Sequence, residues 1–321
     1  EKNFSKYLGV KYSIGVSNGT DAIILALKAA NINKGDEVIT TSHTAYATVS
    51  AIVDVGAIPI FVDINKDDFT INVLEIEKKI TKKTKAIIAV HIYGNPVDIV
   101  KIKKIKQKYN LILIEDCAQS HGAKYKKKNI GTFGDFACFS FYPTKNLSTF
   151  GDAGVISTNN FKMYEKIKLL REYGWKKKNF GFIHGSNKRL DELHAGILNV
   201  KLDKFNDLRI SIAKKYLKSI NSKHLILPKT DLNKKHVFHL FVVRVINNKR
   251  YRFLRYLEKN DIYAGIHYPL PNHKQKPFKK YFKFKLPVTD EISKEIVSLP
   301  IFKLLKKKQI DKIIKVINKF N

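Results

Sequence analysis

Through the first two-thirds of this chain, short apolar runs alternate with amphipathic helical stretches, and no other feature constrains the fold as much. Asp21 to Asn31 carries apolar residues at helical spacing, followed by the turn Lys34-Gly35-Asp36 and the run Glu37 to Thr40. Thr48 to Val55 reads as helix, Ile58 to Asp63 as a buried strand, Leu74 to Ile80 as helix and Ala86 to His91 as another strand. Val100 to Tyr109 is helical again, and Leu111 to Ile114 is a third buried strand ending at Glu115-Asp116. Strands apolar on both faces and separated by helices form a mostly parallel sheet covered on both sides. Ligands of such sheets gather at the carboxyl ends of the strands.

Beyond Leu202 the pattern changes. Lys204 to Ser219 reads as one long helix, Val237 to Val245 as a strand, and Arg250 to Asn260 and Ile310 to Phe320 as helices. With 321 residues the chain can bury two cores. The expectation is a large α/β domain over 1–204 and a smaller α/β domain over 205–321. Glu1 to Gly9 reads like the middle of an amphipathic helix, so a further N-terminal segment is expected before it. No run approaches the roughly 20 apolar residues of a membrane-spanning helix, and no secretory signal opens the chain. Its two cysteines, Cys117 and Cys138, lie in apolar runs and read as small buried hydrophobes. A cytoplasmic protein without a membrane partner is expected.

The formal charge of +32, from 60 basic and 28 acidic residues, would suit a nucleic-acid binder. However, only seven of the basic residues are arginines, and the lysine clusters at 126–128, 176–178 and 306–308 are spread along the whole chain. Nucleic-acid readers concentrate charge on one element and favour arginine for bidentate contacts. The excess therefore reads as a surface bias, with no nucleic-acid partner.

Three segments carry chemistry. Lys145 follows the apolar strand Phe136 to Phe141 and the turn Tyr142-Pro143-Thr144, and is then enclosed by Phe150-Gly151-Asp152-Ala153-Gly154. A lysine in a partly apolar pocket has a lowered pKa and can act as a nucleophile that forms Schiff bases. Asp116 ends a buried strand, where its carboxylate either faces a ligand crevice or caps the following turn. Ser17-Asn18-Gly19-Thr20-Asp21 opens the first helix of the alternating pattern, where free N–H groups and the helix dipole favour a phosphate. His184, His194, His236 and His239 lack metal-binding spacing.

These segments, in this order, resemble the DegT/DnrJ/EryC1/StrS family of sugar aminotransferases. The likeness extends through His43 to Thr48, Gly56 to Asp63, His91 to Pro96, Asn187 to Leu193 and Gly265 to Pro269. It implies the aspartate-aminotransferase-like fold (type I among pyridoxal-phosphate enzymes), with a large domain of mixed, mostly parallel sheet and a smaller C-terminal α/β domain. It implies pyridoxal 5'-phosphate as cofactor, anchored covalently by Lys145, with Asp116 at the pyridine nitrogen and Gln119 near the ring oxygen. Gly19, Thr20 and Ser140 would hold the phosphate, joined by Asn187 from the partner subunit of a homodimer. His267 and Tyr268 would contact a nucleotide-linked keto-sugar, and glutamate would donate the amine.

Relatives often place an aromatic residue at the Ala45 position to cover the cofactor ring. Here His43 and Tyr46 would have to serve, or something smaller covers it. Ala153 stands where relatives often carry a second glycine. The Ser42-His43-Thr44-Ala45 and Arg171-Glu172-Tyr173-Gly174-Trp175 segments resemble members acting at C3 of dTDP-linked 6-deoxy sugars. UDP- or GDP-4-keto sugars are the alternative acceptors, and a non-catalytic regulatory or nucleic-acid-binding member the alternative role. A sibling branch that dehydrates keto-sugars replaces the lysine with histidine, so Lys145 argues against it.

Overall fold

A computed structural model describes residues 1–202 and 205–320. Seven strands form the main sheet: β1 (Tyr12–Val16), β2 (Glu37–Thr41), β3 (Ile58–Val62), β4 (Thr84–Val90), β5 (Ile112–Asp116), β6 (Phe136–Ser140) and β7 (Gly154–Thr158). Their order is β1-β7-β6-β5-β4-β2-β3, and β7 alone among them runs against its neighbours. The sheet is thus mixed and mostly parallel, as the alternating pattern predicts.

Both faces are covered. One apolar core joins Ile88, Ile114 and Phe136 to helix α2 (Gly19–Ala29) through Ala22, Leu25 and Ala26. The other joins Ile39, Ile87 and Leu113 to α4 (Ile99–Lys108), the next long helix after α3 (Tyr46–Asp54), through Ile102 and Ile105. Ile87 and Ile88 are fully buried on opposite faces of β4, and truncating such a residue to alanine costs about 2–5 kcal/mol. That two-sided burial is why the strands read as continuous apolar runs.

The chain continues through α5 (Phe161–Arg171), a hairpin of β8 (Trp175–Lys177) and β9 (Phe180–Gly181), and α6 (Glu192–Lys201). Lys204, the expected start of the next helix and the last residue before the expected domain boundary, lies outside the described residues. Helix α7 spans Asp207–Ser219. A second, three-stranded sheet of β10 (Leu225–Ile226), β11 (Phe241–Val245) and β12 (Ile296–Leu299) shares a separate apolar core with α7, α8 (Arg250–Glu258) and α10 (Lys307–Asn318). Helix α9 (Pro287–Glu295) joins this part to the first core through Ile292.

The strand expected over Val237 to Val245 begins only at Phe241. Before it the backbone turns through Phe238, whose φ is +46°, and Val237 N–H bonds Gly94 C=O at 3.0 Å. Residues 237–240 are therefore committed to the loop after β4. Among the described residues, no helix is long and apolar enough to cross a membrane.

Candidate active site

The carboxyl ends of β1, β2, β5 and β6 open into one cavity of about 560 Å³, lined by Asn18, Gly19, Thr20, Ala45, Thr48, Asp116, Ser140, Tyr142 and Lys145, among others. Each side chain is set by its element. Asn18 caps α2, its side-chain oxygen accepting Asp21 N–H at 2.8 Å. The first N–H groups of α2 and the positive end of its dipole thus lie at the cavity wall. A Cβ on Gly19 would come within 2.7 Å of Ser140 Cβ, so only glycine lets α2 begin against the end of β6.

Asp116 is held from two sides. Its Oδ1 accepts Ala118 N–H at 3.1 Å, and its Oδ2 accepts the Thr48 hydroxyl at 2.8 Å. The Thr44 and Thr48 hydroxyls are 3.0 Å apart. Since Thr48 donates to Asp116, Thr44 donates to Thr48. The carboxylate therefore both lines the crevice and caps its own turn.

Lys145 is partly buried on the turn after β6, where its N–H bonds Tyr142 C=O at 2.8 Å. Desolvation lowers its pKa from the ordinary lysine value, and the Asp116 charge opposes the shift. The result is an amine more easily deprotonated than a surface lysine.

Gln119 lies just behind this wall. Its Oε1 accepts Tyr93 N–H at 2.6 Å and its Nε2 donates to the Tyr268 hydroxyl at 2.9 Å. Burial pushes Tyr268 up to about 12, so it stays a neutral hydroxyl. His267 pairs through Nδ1 with Ser298 Oγ at 2.9 Å, and its C=O accepts the Tyr93 hydroxyl. Burial, reinforced by the charge of Lys145, lowers the His267 pKa. The C-terminal part thus reaches the cavity edge through residues 267–268.

The structure brings Lys145, Asp116, Gly19, Thr20 and Ser140 together at the cavity, with Gln119 behind. Asn187 is exposed and does not line its own chain's cavity, whereas the neighbouring Lys188 does. Of the expected ring covers, His43 is buried with Nε2 2.7 Å from the Tyr93 hydroxyl, and Tyr46 lies against Phe278 with ring centroids 4.8 Å apart. Neither lines the cavity. Ala45 itself does.

Thr48 and Lys188 escaped the sequence reading. Both lie inside segments that carry the family likeness, but neither their residue type nor their spacing marks them as site residues. His91, Glu115 and Cys117 cluster as a metal site would, but the Glu115 oxygens accept the N–H groups of Gly131, Phe133 and Gly134 and lie against His91. His91 Nδ1 accepts Val97 N–H. These atoms are spent on holding the loops after β4 and β5.

Residues 1–318 match the DegT/DnrJ/EryC1/StrS aminotransferase family. The chain belongs to that family. It is 45% identical, over all of its length and 88% of the relative, to a dTDP-3-amino-3,6-dideoxy-alpha-D-galactopyranose transaminase of Aneurinibacillus thermoaerophilus. It is 39% identical, over 97% of its length and 85% of the relative, to a UDP-N-acetyl-3-dehydro-alpha-D-glucosamine 3-aminotransferase of Acidithiobacillus ferrooxidans. Its fold matches S. venezuelae DesV, solved in complex with a ketimine intermediate, with a TM-score of 0.96, 35% identity, and coverage of 99% of this chain and 87% of that one. The DegT-family chain is a sugar-nucleotide aminotransferase working with pyridoxal phosphate. Its cavity fits that cofactor: a desolvated lysine, a carboxylate fixed by two donors and a glycine-started helix end converge there.

Proposed function

We propose that this DegT-family enzyme moves an amino group from glutamate to a dTDP-linked 3-keto-6-deoxyhexose. Pyridoxal phosphate supplies an electrophilic carbon and an electron-accepting ring. Lys145, lowered by burial, anchors the cofactor and afterwards carries the proton to and from the substrate carbon. Asp116, oriented by Thr48 and Ala118, holds a proton on the ring nitrogen. Gly19, Thr20 and Ser140 receive the phosphate, Gln119 steadies the ring oxygen, and His267 with Tyr268 meets the sugar nucleotide. The observation that carries the reading is the desolvated Lys145 sharing a cavity with the fixed carboxylate of Asp116.

The 45% identical transaminase, named for a dTDP-linked 3-amino-3,6-dideoxy sugar, supports the finer substrate. A UDP-linked 3-keto sugar is the second reading, favoured by the relative from Acidithiobacillus. We also read the enzyme as a homodimer in which Asn187 serves the partner's phosphate, since Phe150, five residues after Lys145, and Leu193 and Val200 on α6 are exposed. Residues 1–204 and 205–321 are read as its two domains, supported by the separate C-terminal core. A cytoplasmic setting agrees with the buried, unpaired Cys117 and Cys138.

The test is a visible absorbance titration. Wild type with pyridoxal phosphate gains a Schiff-base band that glutamate removes, and Lys145→Ala gains none. Adding a dTDP-3-keto-6-deoxy sugar to the glutamate-treated enzyme restores the band faster than a UDP-linked keto sugar does. Faster restoration by the UDP sugar would reverse the substrate assignment. A wild-type spectrum identical to Lys145→Ala would remove Lys145 as the anchor.

A further inference from the structure

The cofactor cavity has an unusual charge balance for a place that receives a phosphate. Among the described residues that line it, Asp21, Asp54, Asp116 and Asp152 are acidic, while Lys145 and Lys188 alone are basic. A phosphate monoester brings about −1.5 to −2 more at neutral pH. Lys145 is taken up by its covalent role, which leaves Lys188 as the other lining cation that can meet that charge.

Lys188 stands at the start of α2. Its side chain is 20% exposed, and its ammonium contacts Asp21 Oδ1. The other oxygen of Asp21 accepts the Ser17 hydroxyl and the Asn18 amide, the latter at 3.0 Å. Asp21 is therefore positioned without Lys188. Nor is the ammonium needed to fasten its own segment, because Ser17 N–H bonds Lys188 C=O at 3.0 Å. A Cβ on Gly15 would come within 2.8 Å of Leu190, so that segment is also closely packed.

We propose that Lys188 is a phosphate-binding residue of the cofactor cavity, its ammonium shared between Asp21 and the phosphate of pyridoxal phosphate. Asp21 acts as a holder that keeps the lysine aimed at the first turn of α2 and offsets its charge until the phosphate arrives. The inference rests on the reading of Gly19 and Thr20 as the phosphate seat. It adds a cation supplied within the same chain, separate from Asn187 of the dimer reading.

The test compares pyridoxal phosphate with pyridoxal, which lacks only the phosphate, by equilibrium titration of the Lys145-dependent band. Lys188→Gln keeps a donor for Asp21 without the charge, and Lys188→Arg keeps the charge. Losing a charged contact weakens binding on the order of ten- to a hundredfold. The expected result is that loss for pyridoxal phosphate in Lys188→Gln, no change for pyridoxal, and near wild-type binding in Lys188→Arg. Equal weakening of both ligands, or unchanged binding of pyridoxal phosphate in Lys188→Gln, would overturn the proposal. Thermal melting of each apoprotein separates a folding defect from a binding defect, and Lys188→Arg keeps the question decidable if Lys188→Gln unfolds. If Thr20→Ala and Gly19→Ala leave the preference for pyridoxal phosphate over pyridoxal untouched, the seat itself is misread. The inference would then fail for that separate reason.

Discussion

Two neighbouring carboxylates at the end of β5 have opposite fates. Glu115 turns inward and spends its oxygens on three backbone N–H groups and His91, while Asp116 turns to the cavity. Period-two alternation along a strand accounts for this divergence, although the sequence alone left Asp116 open between the crevice and a cap. What was not legible is Thr48, which reaches Asp116 across 68 positions of sequence and depends on the packing of α3. Removing its hydroxyl leaves one oxygen of a buried carboxylate without its donor, worth about 1.5–3 kcal/mol for a charged acceptor. Thr48→Val is accordingly expected to weaken pyridoxal phosphate binding about tenfold in a fluorescence titration, with Thr48→Ser close to wild type. Equal affinity in Thr48→Val would mean that Ala118 N–H alone fixes Asp116.

At the scale of elements, the long apolar strands announced themselves and the glycine-bearing ones did not. β4 and β5 each hold an apolar stretch, Ala86 to Val90 and Ile112 to Ile114, whereas β1 and β7 carry Gly15 and Gly154 and mix serine and threonine into the pattern. Their place is fixed by tertiary contact: a Cβ on Gly154 would lie 2.4 Å from Asn18 C=O, and one on Gly19 would strike Ser140. The start of α2 is thus wedged between the ends of β6 and β7, and the phosphate seat proposed there depends on that wedge. Gly19→Ala is expected to push α2 off β6, costing about 1–3 kcal/mol in a urea melt as overpacking does. Cofactor affinity should fall more than tenfold, because the N–H groups of α2 move with the helix. A melt that falls while affinity holds would separate the helix start from the phosphate. The residues of the site were legible as motif pieces in chain order. Their convergence on one cavity, with Ala45 rather than His43 or Tyr46 at its wall, belongs to packing that spacing alone does not encode.

For the whole molecule, the question is whether one chain makes one site. Phe150 lies five residues after Lys145 and is 82% exposed, and Val200 on α6 is 88% exposed. Lys201 Nζ stands 6.0 Å from the Phe150 ring centroid, which ties that helix to the Phe150 segment. Large apolar side chains left uncovered beside a cavity are what a two-fold interface buries. Asn187, exposed and outside its own cavity, fits the proposed role across such an interface. The geometry gives a complementation test in which cis and trans arrangements give opposite answers. Lys145→Ala and Asn187→Ala are each expected to be defective alone. If Asn187 serves the partner's site, a hybrid dimer places both defects in one site and leaves the other intact. Unfolding and refolding an equal mixture should then restore about one quarter of wild-type transamination. If Asn187 serves its own chain, every site in the hybrid carries a defect and the mixture stays as inactive as its parents. Val200→Glu supplies the companion measurement. At an exposed position it should leave the fold within about 0.5 kcal/mol, yet sediment as a monomer and lose activity.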